Sequence, residues 1–199
     1  TSPATTRGRP IAHPKAPTVA HDLVFRYATK GWEGVVTLAG VGDMAVVQTM
    51  EAVESLQFQA PGLAAQTIAR HGLTREMVPT PLLQHAVVWE ALLERMPLTA
   101  LVRNLGTMTK VGLLAPYSRA AKRVVERLGD TAAIRKARVH PVAILAALKT
   151  YAQGHGMKGK NSWQPVAQVV DALDRAFYLA FRNAPSTGRR VMLALDVSG

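Results

Sequence analysis

The sequence predicts an all-α fold in which short helices pair and stack as a solenoid, and three observations predict it. Apolar residues return every three or four positions along most of the chain, the spacing of amphipathic helices. Prolines and glycines punctuate these segments where helices start and stop. No stretch shows the strict two-residue alternation of a half-buried strand. With 199 residues, 48% hydrophobic and 19% charged, the chain has the means to bury a sizeable core.

The elements follow in order. Residues 1–17 carry Thr, Pro, Gly and the basic side chains Arg7, Arg9 and Lys15 without apolar periodicity, and read as a lead-in arm. A helix is expected from Thr18, with Val19, Leu23 and Tyr27 in one row, Ala20, Val24 and Ala28 in the next, and Gly31 as its end. Asp43 is positioned to cap a helix through Met44, Val47, Met50, Val53 and Leu56. Pro81, Pro97, Pro141 and Pro165 each stand before an apolar face and are expected at the first helical position. The face after Pro165 runs Val166, Val169, Val170, Leu173, Phe177, Ala180 and Phe181. Residues 18–183 are thus expected to form one helical segment. No fixed repeat period shows, and a HEAT-type solenoid is favoured over a compact bundle.

Residues 184–199 change character. After a linker and the pair Arg189–Arg190 comes the unbroken apolar run Val191–Leu195, closed by Asp196-Val197-Ser198-Gly199. Such a run reads as a parallel strand covered on both faces, and ligands bind beyond the carboxyl ends of such strands, where Asp196 and Ser198 stand. A lone strand lacks a ladder partner, so the chain is expected to be a segment of a longer product, starting as it does without methionine.

Charge and composition narrow the function. The formal net charge is +11, and so basic a domain concentrates polyanions around itself, which makes nucleic acid the default partner. A membrane surface and an acidic protein are the alternatives that charge leaves open. There is no cysteine, which excludes disulfides and thiolate metal sites and suits a reducing cytoplasm. No apolar run approaches the roughly 20 residues that cross a bilayer, and no signal peptide precedes the helices, so a soluble protein is expected. The six histidines fall at no metal-ligand spacing, and the 13 acidic residues form no obvious acid/base pair. A non-enzymatic binding protein is the expectation.

Several ordered motifs carry a family likeness. His13-Pro14-Lys15, Tyr27-Ala-Thr-Lys-Gly-Trp32, Met96–Gly106, Ala137-Arg-Val-His-Pro141 and Gly154–Trp163 resemble, in order, the TROVE domain of the Ro family. Val191–Gly199 is similar to the first strand of that family's von Willebrand factor A-like domain. The resemblance implies a ring of HEAT-like repeats, monomeric and closed by the A-like domain. It implies binding of small structured Y-like RNAs on the outside and of single-stranded 3′ ends of misfolded RNAs in a central hole. It further implies cytoplasmic RNA quality control and, in bacterial members, tethering of polynucleotide phosphorylase through the RNA. A divalent cation, Mg²⁺, belongs to the A-like domain's Asp-x-Ser-x-Ser motif. Asp196 and Ser198 match its first half, so the metal site is incomplete within these residues.

The candidate RNA-binding residues follow. His13 and Lys15 match the family's His-x-Lys, and basic side chains before a helix suit a phosphate. Arg26 and Lys30 lie one turn apart, either facing the same phosphate backbone or forming a solvated face. Lys158 and Lys160 stand in the Gly-rich loop Gly154-His-Gly-Met-Lys-Gly-Lys160, where amides can approach phosphate. Trp163 behind it is read as a core anchor in preference to a stacking face for a base. Trp32 and Trp89 are assigned to packing. Arg103, among Leu101, Val102 and Leu105, needs a partner, read as a structural carboxylate in preference to RNA. The competing function is a helical scaffold that meets acidic proteins.

Overall fold

In the computed structural model, helices, four 3₁₀ turns and one isolated bridge make up the regular structure of the described residues, 18–36, 44–156, 161–184 and 188. The fold of these residues is all-α, with no strand among them. The lead-in, Asp43 and the expected strand Val191–Leu195 lie outside the described residues. The chain divides into two units, Thr1–Gln84 and His85–Gly199.

The first unit holds α1 (Val19–Lys30), α2 (Trp32–Val36), α3 (Met44–Ser55) and α4 (Pro61–His71). Thr18 opens α1 as read from the sequence: its hydroxyl accepts the His21 N–H at 3.3 Å, satisfying one of the amides that a helix start leaves unbonded. Gly31 closes it at φ +65°, its N–H donating to the Tyr27 carbonyl. Only Leu23 of α1 is fully buried, and the expected second row turns outward, with Val24 and Ala28 exposed. Glu54 of α3 ties these helices together, accepting from the Tyr27 hydroxyl and, at 2.6 Å, from the Trp32 indole. That contact bears out the packing role of Trp32.

The second unit holds α5 (Ala86–Arg95), α6 (Leu98–Lys110), α7 (Arg119–Gly129), α8 (Thr131–Lys136), α9 (Pro141–Ala152) and α10 (Ala167–Ala180). α10 is its centre, packed against α7, α8 and α9. Val169, Ala172, Leu173, Ala176 and Ala180 are buried along it, and the alanines let the neighbouring backbones come close. Arg127 of α7 is structural: its guanidinium donates to the Leu93 and Met96 carbonyls where α5 ends. Burial, and secondarily the charge of Arg123, pulls its pKa below the ordinary arginine value.

The prolines divide. Pro141 is the first residue of α9, as expected, whereas Pro97 is one place earlier, as the cap of α6. Pro81 opens no α-helix. It leads only into the 3₁₀ turn Leu82–Gln84, whose amides bond the carbonyls three residues back, and extended His85 separates that turn from α5. Pro165 stands outside α10. The Val166 N–H donates to the Tyr151 hydroxyl at 3.2 Å, which holds Val166 extended and delays the helix to Ala167. Phe181, expected on the apolar face, falls in the 3₁₀ turn Phe181–Asn183 and is exposed.

α6 and α9 meet at the ring of Trp163, which lies against Gly106, stacks beside Tyr151 and donates from its indole to the Tyr151 carbonyl at 3.0 Å. A Cβ at Gly106 would stand 2.6 Å from that ring. Helix propensity alone favours alanine over glycine by about 1 kcal/mol, but displacing a packed indole costs about 1–3 kcal/mol. Gly106→Ala is therefore expected to destabilise the chain by up to about 2 kcal/mol, read as a lower urea midpoint; a raised midpoint would contradict this packing.

Candidate nucleic-acid interface

A dense basic site in the second unit forms where α8 gives way to α9. Asp130 starts α8 by accepting the Ala133 N–H at 3.0 Å, and Arg135 and Lys136 occupy its last turn, where a helix carboxyl end favours cations. The chain then turns through Ala137 and Arg138, the latter at φ +49°. Val139 anchors the turn in the core, and His140 caps α9, its Nδ1 accepting the Val142 N–H at 3.2 Å. That bond leaves the neutral ring's proton on Nε2, a donor turned away from the helix.

The second wall comes from the end of α10. The Asn183 side-chain amide donates to the Ile134 carbonyl at 3.0 Å and to the Val139 carbonyl at 3.1 Å. One side chain thus spends both its donors on fastening the 181–183 turn to the α8–α9 connection, and Arg182 is carried alongside. The result is an open cleft of about 680 Å³ lined by Ala132, Arg135, Lys136, Arg138, His140, Arg182 and Asn183.

Among the described residues no carboxylate lines this cleft. Among the described residues no hydrogen bond or ion pair engages the side chains of Arg135, Lys136, Arg138 or Arg182. Other arginines are committed. Arg123 pairs with Glu94 at 2.9 Å, and this hydrogen bond and charge hold the Glu94 carboxyl below its ordinary pKa. Arg26 pairs with Asp22 at 2.8 Å. Four like charges gathered without counter-charge repel one another, and an anion entering between them relieves that repulsion.

Of the residues nominated from the sequence, Arg26 and Lys30 lie on α1 as spaced, but Asp22 already neutralises Arg26 while Lys30 projects from the last turn into solvent. His13, Lys15, Lys158, Lys160, Asp196 and Ser198 lie outside the described residues. The stems of the Gly-rich loop are described: Trp163 N–H donates to the Gly154 carbonyl at 2.8 Å, and Gly156 N–H to the Asn161 carbonyl at 3.0 Å. Gly154 is needed there, at φ +76° with no room for a Cβ beside the Trp163 carbonyl. Arg103 departs from its reading. It is exposed at the mouth of a cavity of about 730 Å³ between α6 and α9, without a carboxylate partner among the described residues, because it faces away from the buried stripe of α6. Among the described residues no cluster of His, Asp and Glu is arranged to hold a metal, and no helix is long and apolar enough to cross a membrane.

Comparison with known proteins assigns the family. The TROVE domain profile matches residues 68–150. A Caenorhabditis elegans protein named RNA-binding protein RO60 is 46% identical over 142 residues, covering 71% of this chain and 22% of the relative. A Deinococcus radiodurans protein of the same name is 39% identical over 189 residues, covering 94% of this chain and 34% of the relative. The crystal structure of the Deinococcus radiodurans RO (RSR) protein aligns with a TM-score of 0.72 at 37% identity, over 87% of this chain and 34% of that one. The chain belongs to the TROVE family. It spans between about a fifth and a third of the length of these relatives. The TROVE match contains Arg135, Lys136, Arg138 and His140, whereas Arg182 follows it.

These cleft residues escaped nomination, although Ala137–Pro141 was among the motifs that carried the likeness. The local signal was present: four basic or imidazole side chains within Arg135–His140. What the sequence did not reveal was the clamp that brings Arg182 beside them. Asn183→Ala removes both clamp bonds and is expected to cost about 1–2 kcal/mol, measured by urea unfolding. Asn183→Asp, which cannot donate to two carbonyls, should lose at least as much; full stability of either variant would contradict the clamp.

Proposed function

We propose that this chain is an RNA-binding segment of a Ro-type protein, and that the cleft between the α8–α9 turn and Arg182 is one of its contact surfaces. The observation that carries the reading is the cleft itself, four cations with no acid among the described residues that line it, lying mostly inside the TROVE match. Phosphate contacts supply most of the affinity of such surfaces, and each displaces condensed counterions. The relatives' name, RNA-binding protein RO60, supports the choice of RNA over other polyanions. The net charge of +11 supports it as well.

Within this reading the partners are small structured RNAs of the Y type and the single-stranded ends of misfolded RNAs, handled in cytoplasmic RNA quality control. The family likeness of His13-x-Lys15 and of the Gly154–Trp163 loop supports them. Arg26 is the weaker member of the α1 patch, because RNA must compete with Asp22 for it. A monomeric ring, a tethered polynucleotide phosphorylase and an Mg²⁺ site completed by residues beyond Ser198 belong to the same proposal for the whole protein. Binding, in place of catalysis, is the role assigned to the segment.

Filter binding of a structured RNA across a salt series tests the reading. The wild-type chain is expected to show a steep log–log slope, and Arg135→Ala with Arg182→Ala to flatten it by about one to two units. Lys30→Ala should flatten it by about one, and Arg26→Ala by less. RNA binding that ignores salt, or tight binding to an acidic protein with none to RNA, would replace this reading with that of a protein scaffold.

A further inference from the structure

Arg138 occupies a position that its backbone reserves for glycine. It follows α8 at φ +49°, with its N–H on the Arg135 carbonyl at 3.1 Å and that of Ala137 on the Ala133 carbonyl at 2.9 Å. This is the left-handed residue with which helices commonly end, and glycine is usual there because a Cβ is strained in that conformation. An arginine in its place opposes local stability, and no described contact of its side chain repays the strain: the residue is exposed, its side chain is unpaired among the described residues, and it lines the cleft. Non-glycine residues held in such conformations cluster at ligand-binding and other functional sites.

The surroundings define what the guanidinium meets. Arg135, Lys136 and Arg182 add three more cations, and the His140 ring, held by its Nδ1 bond to the Val142 N–H, presents Nε2–H as a donor. The two donors of Asn183 are committed to backbone carbonyls, so they hold the walls and leave recognition to the charged groups. An arginine fork with further charged donors around a concavity fits the tetrahedral oxygens of a phosphate group, which accept several charge-assisted hydrogen bonds at once.

We propose that the cleft is a phosphate-recognition pocket for a nucleic-acid strand, with Arg138 as its principal contact, kept at that backbone position for binding at the expense of stability. The proposal rests on the RNA-binding reading above and makes it specific to one pocket. Its phosphate is either an internal phosphodiester of the strand or a terminal phosphomonoester, which carries more charge.

The test compares the full chain with its Arg138→Gly and Arg138→Lys variants. Each is titrated against labelled single-stranded RNA of one sequence, with and without a terminal phosphate, followed by fluorescence anisotropy and paired with thermal melting. Arg138→Gly is expected to melt at the wild-type temperature or roughly 3 °C or more above it, while binding RNA about tenfold or more weakly. Arg138→Lys, which keeps the charge without the fork, should fall between. A wild-type gain from the terminal phosphate that Arg138→Gly abolishes assigns the pocket to strand ends; an equal loss for both oligonucleotides assigns it to internal phosphates. Salt-dependent wild-type binding that Arg138→Gly leaves within twofold would overturn the pocket and spare RNA binding elsewhere on the chain. Absence of RNA binding by the wild-type chain would overturn both.

Discussion

The second unit depends on α10 staying seated. Its buried stripe of Val169, Ala172, Leu173, Ala176 and Ala180 is the surface on which α7, α8 and α9 converge. Burying such a stripe is worth many times a single hydrogen bond. Because the stripe runs to the helix's last residue, the 3₁₀ turn that follows has a fixed place, and Asn183 reaches two carbonyls of a distant connection. Apolar packing sets the geometry, and the amide turns it into a cleft with two walls. Removing either would leave the same basic side chains on the chain but no concavity between them.

Placement explains how so many positive charges are tolerated. The arginine that serves structure, Arg127, is partly buried and bonded to two carbonyls, at the cost of desolvation. Arg123 and Arg26 lie on the surface with carboxylate partners, arrangements that contribute little to stability in water. The cleft cations have neither arrangement. They keep most of their hydration, so their mutual repulsion is modest without a ligand, and an anion gains from all of them together. Arg138 adds backbone strain to that arrangement.

Much of the fold was legible in the sequence because helix ends are written locally. Thr18 and Gly31 bound α1 through hydrogen bonds within four residues, and Pro141 begins α9 where its ring fits. Pro165 misled because the Tyr151 hydroxyl, a tertiary partner, keeps Val166 extended. Arg103 misled for a different reason: apolar neighbours in sequence do not tell which side of a helix a residue faces, and it faces out. Trp163 joins α6 and α9 as an anchor, although half-buried and outside the core, and Gly106 supplies the reason. The cleft was half legible. Arg135 to His140 form a visible basic cluster, but no local pattern announces that Asn183 will bring Arg182 to it.

Nuclear magnetic resonance of the arginine side chains tests most directly whether the α10 clamp builds a phosphate-binding cleft. With the Nε–Hε signals assigned, a short single-stranded RNA is titrated into the chain at moderate salt. Joint movement of the Arg135, Arg138 and Arg182 signals along one binding curve is the expected result. Movement confined to arginines outside the cleft, with those three unchanged at saturation, would contradict it.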